Sequence, residues 1–489
     1  LSAEQVELTA LTVTSGAAQD GGGIANFGSL TASGLSIVGN VATGISNGMT
    51  ISGNLIVGSG GGLYNTGTLT VANSTIAGNA NLGTAGLGGG VCIAGGTAIL
   101  TNSIIAANVS PSDPDIWGPL AVGSGHNLIG VDPGFVRNPS PGDDGLWGTA
   151  DDDRGDLRLT EFSPAIDMGD NGAVPEGLAA DLDGNPRVVG ARVDIGVYEF
   201  QGTMAPGREI PSVVVTTLAD TFDPYDGQTS LREALFHAGQ SVATTTLTFD
   251  AVLDGGTITL DGRSLVIDHA LRIDASALGS LTIDGGGRSR VLTVVATDPV
   301  ELVGITVTGG VEFHGGGIAN HGNLTIANST IVGNTATGTF GYGGGIHNAG
   351  NLAIAHSIVS SNTATGSSGR GGGIGSYSGN TTVTGSNVFD NRATGTSADG
   401  GGIYHYSGTL AVVDSTVSGN SARSGGGMYN SSGTLNVANA IVSGNTATTS
   451  GGGIYNNSSN SGGSSVTNTV ISGNAAGSGG GFYNSYGVV

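Results

Sequence analysis

The sequence predicts an all-β fold, a right-handed parallel β-helix (solenoid) in two β-helical segments, with a short capping α-helix in the second. Three observations predict it. A glycine signature recurs at near-constant spacing, each period carries alternating apolar and polar residues, and Asn recurs at two fixed places in every period.

The glycine signature comes first. Three glycines, an apolar residue, a variable residue and usually Asn end at Asn26, Asn65, Asn320, Asn348, Asn430, Asn456 and Asn484. From Gly317 the last glycine recurs at Gly345, Gly373, Gly402, Gly427, Gly453 and Gly481, in steps of 28, 28, 29, 25, 26 and 28 residues. A period of a few tens of residues is the mark of stacked repeats, none of which buries a core alone. Within each period, runs such as NLTIANSTIVGN (residues 323–334) alternate Leu, Ile and Val with Thr, Ser and Asn. That is the period-2 pattern of half-buried strands, about three short ones per repeat. Glycine in every repeat and the lack of 3.6-residue periodicity exclude a helical solenoid.

The Asn positions test the stacking. One closes each glycine strand. The other closes each alternating run, at Asn40, Asn79, Asn334, Asn362, Asn391, Asn420, Asn445 and Asn474. Identical amides about 4.8 Å apart can hydrogen-bond along the stack. Two like charges at that spacing repel by roughly 1 kcal/mol even at the dielectric of water. Residues 311–489 accordingly hold seven charged residues, and that depletion is what ladders predict.

Composition narrows the function. There is no lysine among the 489 residues, which excludes a P-loop, a Schiff-base lysine and a Ser-Lys dyad. A formal net charge of −23 argues against nucleic acid as a partner. The single Cys92 excludes an intramolecular disulfide framework and a Cys-cluster zinc site; it is either a substituted ladder residue or a reactive thiol. No apolar run approaches the length of a membrane span. Residues 6–44 repeat as 300–338, so the chain begins inside one β-helix and ends inside another. The expectation is a tandem piece of a longer protein, or chains that self-associate end to end.

Between the helices the chain changes character. Residues 1–107 read as coils of a first β-helix and 108–200 as an acidic domain packed on it or closing it. Residues 201–212 form a linker, 213–299 a capping segment with the first coils of a second β-helix, and 300–489 its repeat coils. Twenty-one of the 37 carboxylates lie between Asp113 and Asp226. In the capping segment Leu231, Ala234, Leu235 and Ala238 share one helical face and Ser230 can N-cap it.

Here a resemblance becomes specific. VVTTLADTFDPYDGQTSLREAL, followed by GGGIYN and LTIANSTIVGN coils, resembles bacterial surface β-helix proteins of the polymorphic outer-membrane-protein type, with their CSLREAI-like segment. Thr229 stands where those proteins usually have Cys. The stretch DPGFV…LRLTEFSPAIDMGD…DLDGNPRVVGARVDIGVYEF resembles the domain called choice-of-anchor Q, which follows β-helix coils in such proteins. The resemblance implies export and display on, or release from, a bacterial surface, and brings no catalytic residues.

Candidate sites follow from residue chemistry. Asp143, Asp144, Asp151, Asp152, Asp153 and Asp156 crowd a glycine-rich loop that suits Ca²⁺, although the spacing is not that of an EF-hand; a solvated acidic loop without a cofactor is the alternative. Asp181, Asp183 and Asn185 form a second candidate, or a plain turn pinned by Arg187. The FDPYD segment (residues 222–226) resembles the DPHD motif of β-helix alginate epimerases but sits where a capping turn is expected. A GxSxG match at residues 44–48 lacks a strand-to-helix elbow. His314, His321, His347 and His405 differ in position relative to the glycines and are expected not to converge. Tyr404, Tyr429, Tyr455 and Tyr483 form a column that alternation sends outward, where it either binds surface glycans or stacks on itself.

Three functions fit. A structural or adhesive protein of the bacterial surface, its repeats poor in carboxylates for catalysis, leads; a carbohydrate-active lyase or hydrolase and a non-catalytic glycan-binding module are the alternatives.

Overall fold

One repeat shows how the chain turns. A five-residue strand (Asn323–Ala327) is followed by Thr330–Val332 and Thr335–Ala336, and the next glycine signature leads into Ile346–Asn348. Each strand pairs in parallel with its equivalent one coil on, so that Leu324 faces Leu352, Thr335 faces Thr363 and Ile346 faces Ile374. The structure, a computed structural model, describes residues 5–44, 58–84, 86–241, 244–458 and 463–485. It holds two stacks of such coils. The second has sheets of ten, nine, six and nine strands, the first of four, five, three and four, and all are parallel. The chain is therefore a parallel β-solenoid. Most repeat coils have four strands rather than about three, because the two-residue Thr335–Ala336 type is too short to display alternation; the first coils of the second stack have three.

Alternation decides which way side chains point. Leu324, Ile326, Ile331 and Ile346 are fully buried and continue into Leu352, Ile354, Val359 and Ile374 of the next coil. Burying one such side chain stabilises by about 1.5–3 kcal/mol. A single coil gathers only a few of them, so the stack is the folding unit.

The glycines are required by the corner they occupy. Gly343 sits at φ +65, in the left-handed region. A Cβ on Gly344 would fall 2.4 Å from the carbonyl oxygen of Gly372, and one on Gly345 would fall 2.9 Å from the side-chain Cγ of Asn362. The glycine strand thus lies flat against the next coil and against the Asn ladder at once.

That ladder runs as expected. The Nδ2 group of Asn334 donates to Oδ1 of Asn362 at 3.0 Å, and the same bond links Asn362 to Asn391, Asn391 to Asn420, Asn420 to Asn445 and Asn445 to Asn474. In the first stack Asn40, Asn79 and Asn108 repeat it and end on Asp115. Each amide also donates to a backbone carbonyl, for example Asn362 to Ile331, so these buried groups are satisfied.

The only α-helix among the described residues, α1 (Leu231–Ala238), closes the second stack. Ser230 accepts from the Glu233 amide while Glu233 reaches back to the Ser230 amide, a full capping box. Leu231, Ala234, Leu235 and Ala238 enter the core of the second stack. Arg232, also buried, pairs with Asp220 at 2.8 Å. Among the described residues no helix is long and apolar enough to cross a membrane.

The acidic segment lies along the first stack. Coil pairing continues past residue 108, with Ile116–Trp117 on Val91–Ile93 and Leu128–Ile129 on Ile104–Ala106. Beyond it, Phe135, Leu157, Leu159, Ile166 and Ile195 pack on the outward-facing Val38, Ala77 and Ala106, and Phe236 of α1 joins the same cluster.

Candidate functional site at the seam between the stacks

The acidic loop has its charge distributed. Asp151 accepts the amides of Asp143 and Asp144 and the Thr149 hydroxyl, which with the other donors holds its carboxyl below the usual range. Asp144 accepts from Leu146, Asp152 from Gly148, Asp153 pairs with Arg137 and Asp156 with Arg158. Among the described residues no group of three His, Cys, Asp or Glu side chains is placed to hold a metal ion. As arranged, these carboxylates serve turns and arginines and do not face a common point. Asp181 likewise accepts the amides of Asp183, Asn185 and Glu199, while Arg187 lies 4.0 Å from buried Glu199. In the FDPYD segment Glu233 accepts the Asp223 amide, which ties this turn to the helix cap. Four of the five GxSxG residues, 45–48, lie outside the described residues.

The tyrosine column needs one correction. Its rings do stack, with centroids 5.5, 4.6 and 4.9 Å apart from Tyr404 through Tyr429 and Tyr455 to Tyr483. They do not stand free in solvent. Tyr404 is 2 % exposed and the others are half-buried. The turn before each glycine strand folds back against them: a Cβ on Gly425 or Gly451 would fall 2.7 Å from the Cβ of Tyr429 or Tyr455. Over Tyr404 the Arg370 guanidinium lies 5.2 Å from the ring centre.

Three of the four histidines, His405 apart, are a second correction. His314 stacks on His347 with centroids 5.2 Å apart, and His321 meets His347 at 6.0 Å. Their positions in the repeat differ, yet the turn, the strand and the corner that carry them all open on one outer face. Burial, with Arg290 nearby, pushes His314 down to about 3 and His321 to about 4. These rings are neutral and act as aromatic packing. Cys92 is buried in the same column of the first stack, between Tyr64 and Trp117, with burial pushing its thiol up to about 12. A reactive thiol is not what this position offers.

These residues converge on a place that sequence reasoning missed, the seam where the stacks meet. Leu120 donates its amide to Val295 at 2.7 Å and accepts from Thr297, while Ala121 donates to Ala98. It thereby bridges the last coil of the first stack and an early coil of the second. Trp117 of the first stack meets His321 of the second edge-on at 5.1 Å. A serine ladder crosses as well: Ser74 donates to Ser103, Ser103 to Asn127, and Asn127 to Asp268 at 3.1 Å. At the centre Asp113 and Arg290, both almost fully buried, form an ion pair. Burial would raise the Asp113 carboxyl, but Arg290 holds it below the usual range.

Beside the pair opens a cleft of about 350 Å³, lined by Asp113, Asp115, Arg263, Arg288, Arg290 and Glu312. Asp115 ends the Asn ladder through Oδ1, and burial pushes its carboxyl up to about 6. Burial also raises Glu312, whose Oε1 accepts the Phe313 amide. A seam cleft that combines carboxyls raised by burial with guanidinium donors can bind hydroxyl-rich ligands and, with a suitable substrate, move a proton. Only the ends of two separate regularities mark it in the sequence, which is why the period alone did not reveal it.

No protein family matches the chain, and a search of curated proteins finds no relative.

Proposed function

We propose that this chain is a structural and adhesive element of a bacterial surface, a stiff β-helical spacer that holds a binding face away from the cell. One observation carries the reading. Two stacks are joined into a single rod by the Leu120 bridge, the crossing serine ladder and the buried Asp113–Arg290 pair. Ten paired strands in the longest sheet of the second stack, at about 4.8 Å per coil, make a body of roughly 45 Å in strand stacking alone. Rigid reach is what a display scaffold requires, and the resemblance to surface β-helix proteins supports the location. Antibody raised against the purified chain should decorate intact, unpermeabilised producer cells. Labelling only after permeabilisation overturns the reading.

A second reading rests on the seam cleft, which Asp115, Glu312, Arg263 and Arg288 line. A carbohydrate-active enzyme would use such carboxyls as acid and base. Release of reducing ends or unsaturated products from a polysaccharide, abolished by Asp115→Asn, would establish it in place of the first.

A further inference from the structure

Two tyrosines outside the predicted column form a different kind of surface. Tyr377 and Tyr406 follow the glycine strands of successive coils, are 46 % and 40 % exposed, and stack with centroids 5.3 Å apart and planes 6° from parallel. Each already covers one face of the other, so this exposure belongs to outer faces and edges. Backbone hydrogen bonds place Ala349 one coil before Tyr377 and Ser431 one coil after Tyr406 in the same row. Both side chains are too short to cover a ring. The column from Tyr404 to Tyr483 differs in this respect, because there Tyr429 and Tyr455 each lie between two other rings.

The surroundings indicate what fits. Ser378 and Ser407 border the pair, Asn351 and Asn380 are exposed beside it, and Ser432 is exposed next to Tyr406. The chain carries no charge between Arg370 and Asp390 or between Asp399 and Asp414, the stretches that supply both rings. Tyr342 buttresses Tyr377 edge-on at 5.4 Å. Flat, buttressed rings amid hydroxyls and amides, with the one neighbouring guanidinium, Arg370, already donating to the Tyr342 hydroxyl, suit the C–H face of an uncharged pyranose, whose hydroxyls exchange hydrogen bonds with the rim. A protein partner would call for a wider apolar patch, and an acidic glycan for cations.

We propose that Tyr377 and Tyr406 form a shelf that binds a neutral pyranose of a surface glycan, with Ser431 and Ser432 beneath the sugar. This names a ligand class for the adhesive part of the proposed function and rests on that reading only for its biological setting. The test uses the purified chain, so it is independent of where the protein is displayed. Saturation-transfer NMR and titration calorimetry are run with maltohexaose, cellohexaose, mannohexaose and, as an acidic probe, hexagalacturonate. At least one neutral probe should bind, and Tyr406→Ala and Tyr377→Ala should each weaken it at least tenfold, while Tyr455→Ala in the covered column leaves it within twofold. Binding of the acidic probe alone, binding indifferent to both shelf variants, or no binding of any neutral probe overturns the proposal. Unchanged circular dichroism and melting of the shelf variants separate loss of the shelf from loss of the fold.

Discussion

Asp113 and Arg290 stand 177 residues apart in sequence and meet as a buried ion pair between the two stacks. Arg290 also donates to the carbonyls of His314 and Gly315 and to the Thr293 hydroxyl, so its guanidinium is well satisfied. Removing one partner from such a pair strands a buried charge, at a typical cost of about 3–5 kcal/mol. Arg290→Met should split the cooperative unfolding transition in two, read by differential scanning calorimetry. The double variant Asp113→Leu/Arg290→Met should recover most of the loss, and a single unchanged transition in Arg290→Met would show that the pair does not couple the stacks.

The Asn ladder should be sensitive at its centre. Asn391→Ala removes the acceptor used by the amide of Asn362 and the donor received by Asn420. Leaving such buried groups without partners costs about 1–3 kcal/mol each. Denaturant melts should show at least 2 kcal/mol of destabilisation by that principle. A smaller change would mean that water replaces the amide.

Glycines should divide by their surroundings. Gly344→Ala places a methyl 2.4 Å from the Gly372 carbonyl oxygen, whereas Gly28→Ala meets nothing within 4 Å. The first should lose about 3 kcal/mol or fail to fold, and the second should be neutral to within about 1 kcal/mol. Equal effects in urea melts would contradict the close-approach explanation.

A pH dependence follows from the buried group around Arg187. Burial, with Asp194 beside it, pushes Glu199 up to about 7, and burial raises Asp194 to about 6. The folded protein then holds protons that the unfolded chain releases, so the contribution is full below the ordinary carboxylate range and is lost as pH rises towards 7. Melting temperature should fall between pH 5 and pH 7.5, and Glu199→Gln should flatten the upper part of that slope. A wild-type slope of the opposite sign, unaltered by the variant, would refute it.

Much of the fold was legible because a stack must repeat its chemistry at every coil. Asn391 can be placed from its spacing alone, and so can the inward Ile346 and the cap at Ser230. The seam was not legible, because it is built from residues that each occur once. Trp117 replaces a column tyrosine, and Asp113 and Asp115 stand where the preceding coil has the signature glycines Gly88 and Gly90, Asp113 with the same left-handed backbone as Gly88. The tyrosines were placed in the right column with the wrong exposure, since alternation says which side of a strand a ring leaves and not what folds over it. The histidines show the converse: different positions in a repeat can still share one corner of the solenoid.

Every bond of the Asn ladder is donated in the same sense, from the lower-numbered coil to the higher. The amide dipoles therefore add along the axis, much as peptide dipoles do in an α-helix. Such a rod has a donor pole and an acceptor pole. Any further coil, whether from the same chain or from another copy, can extend the ladder only head to tail, and a filament built that way would be directional like an arrow.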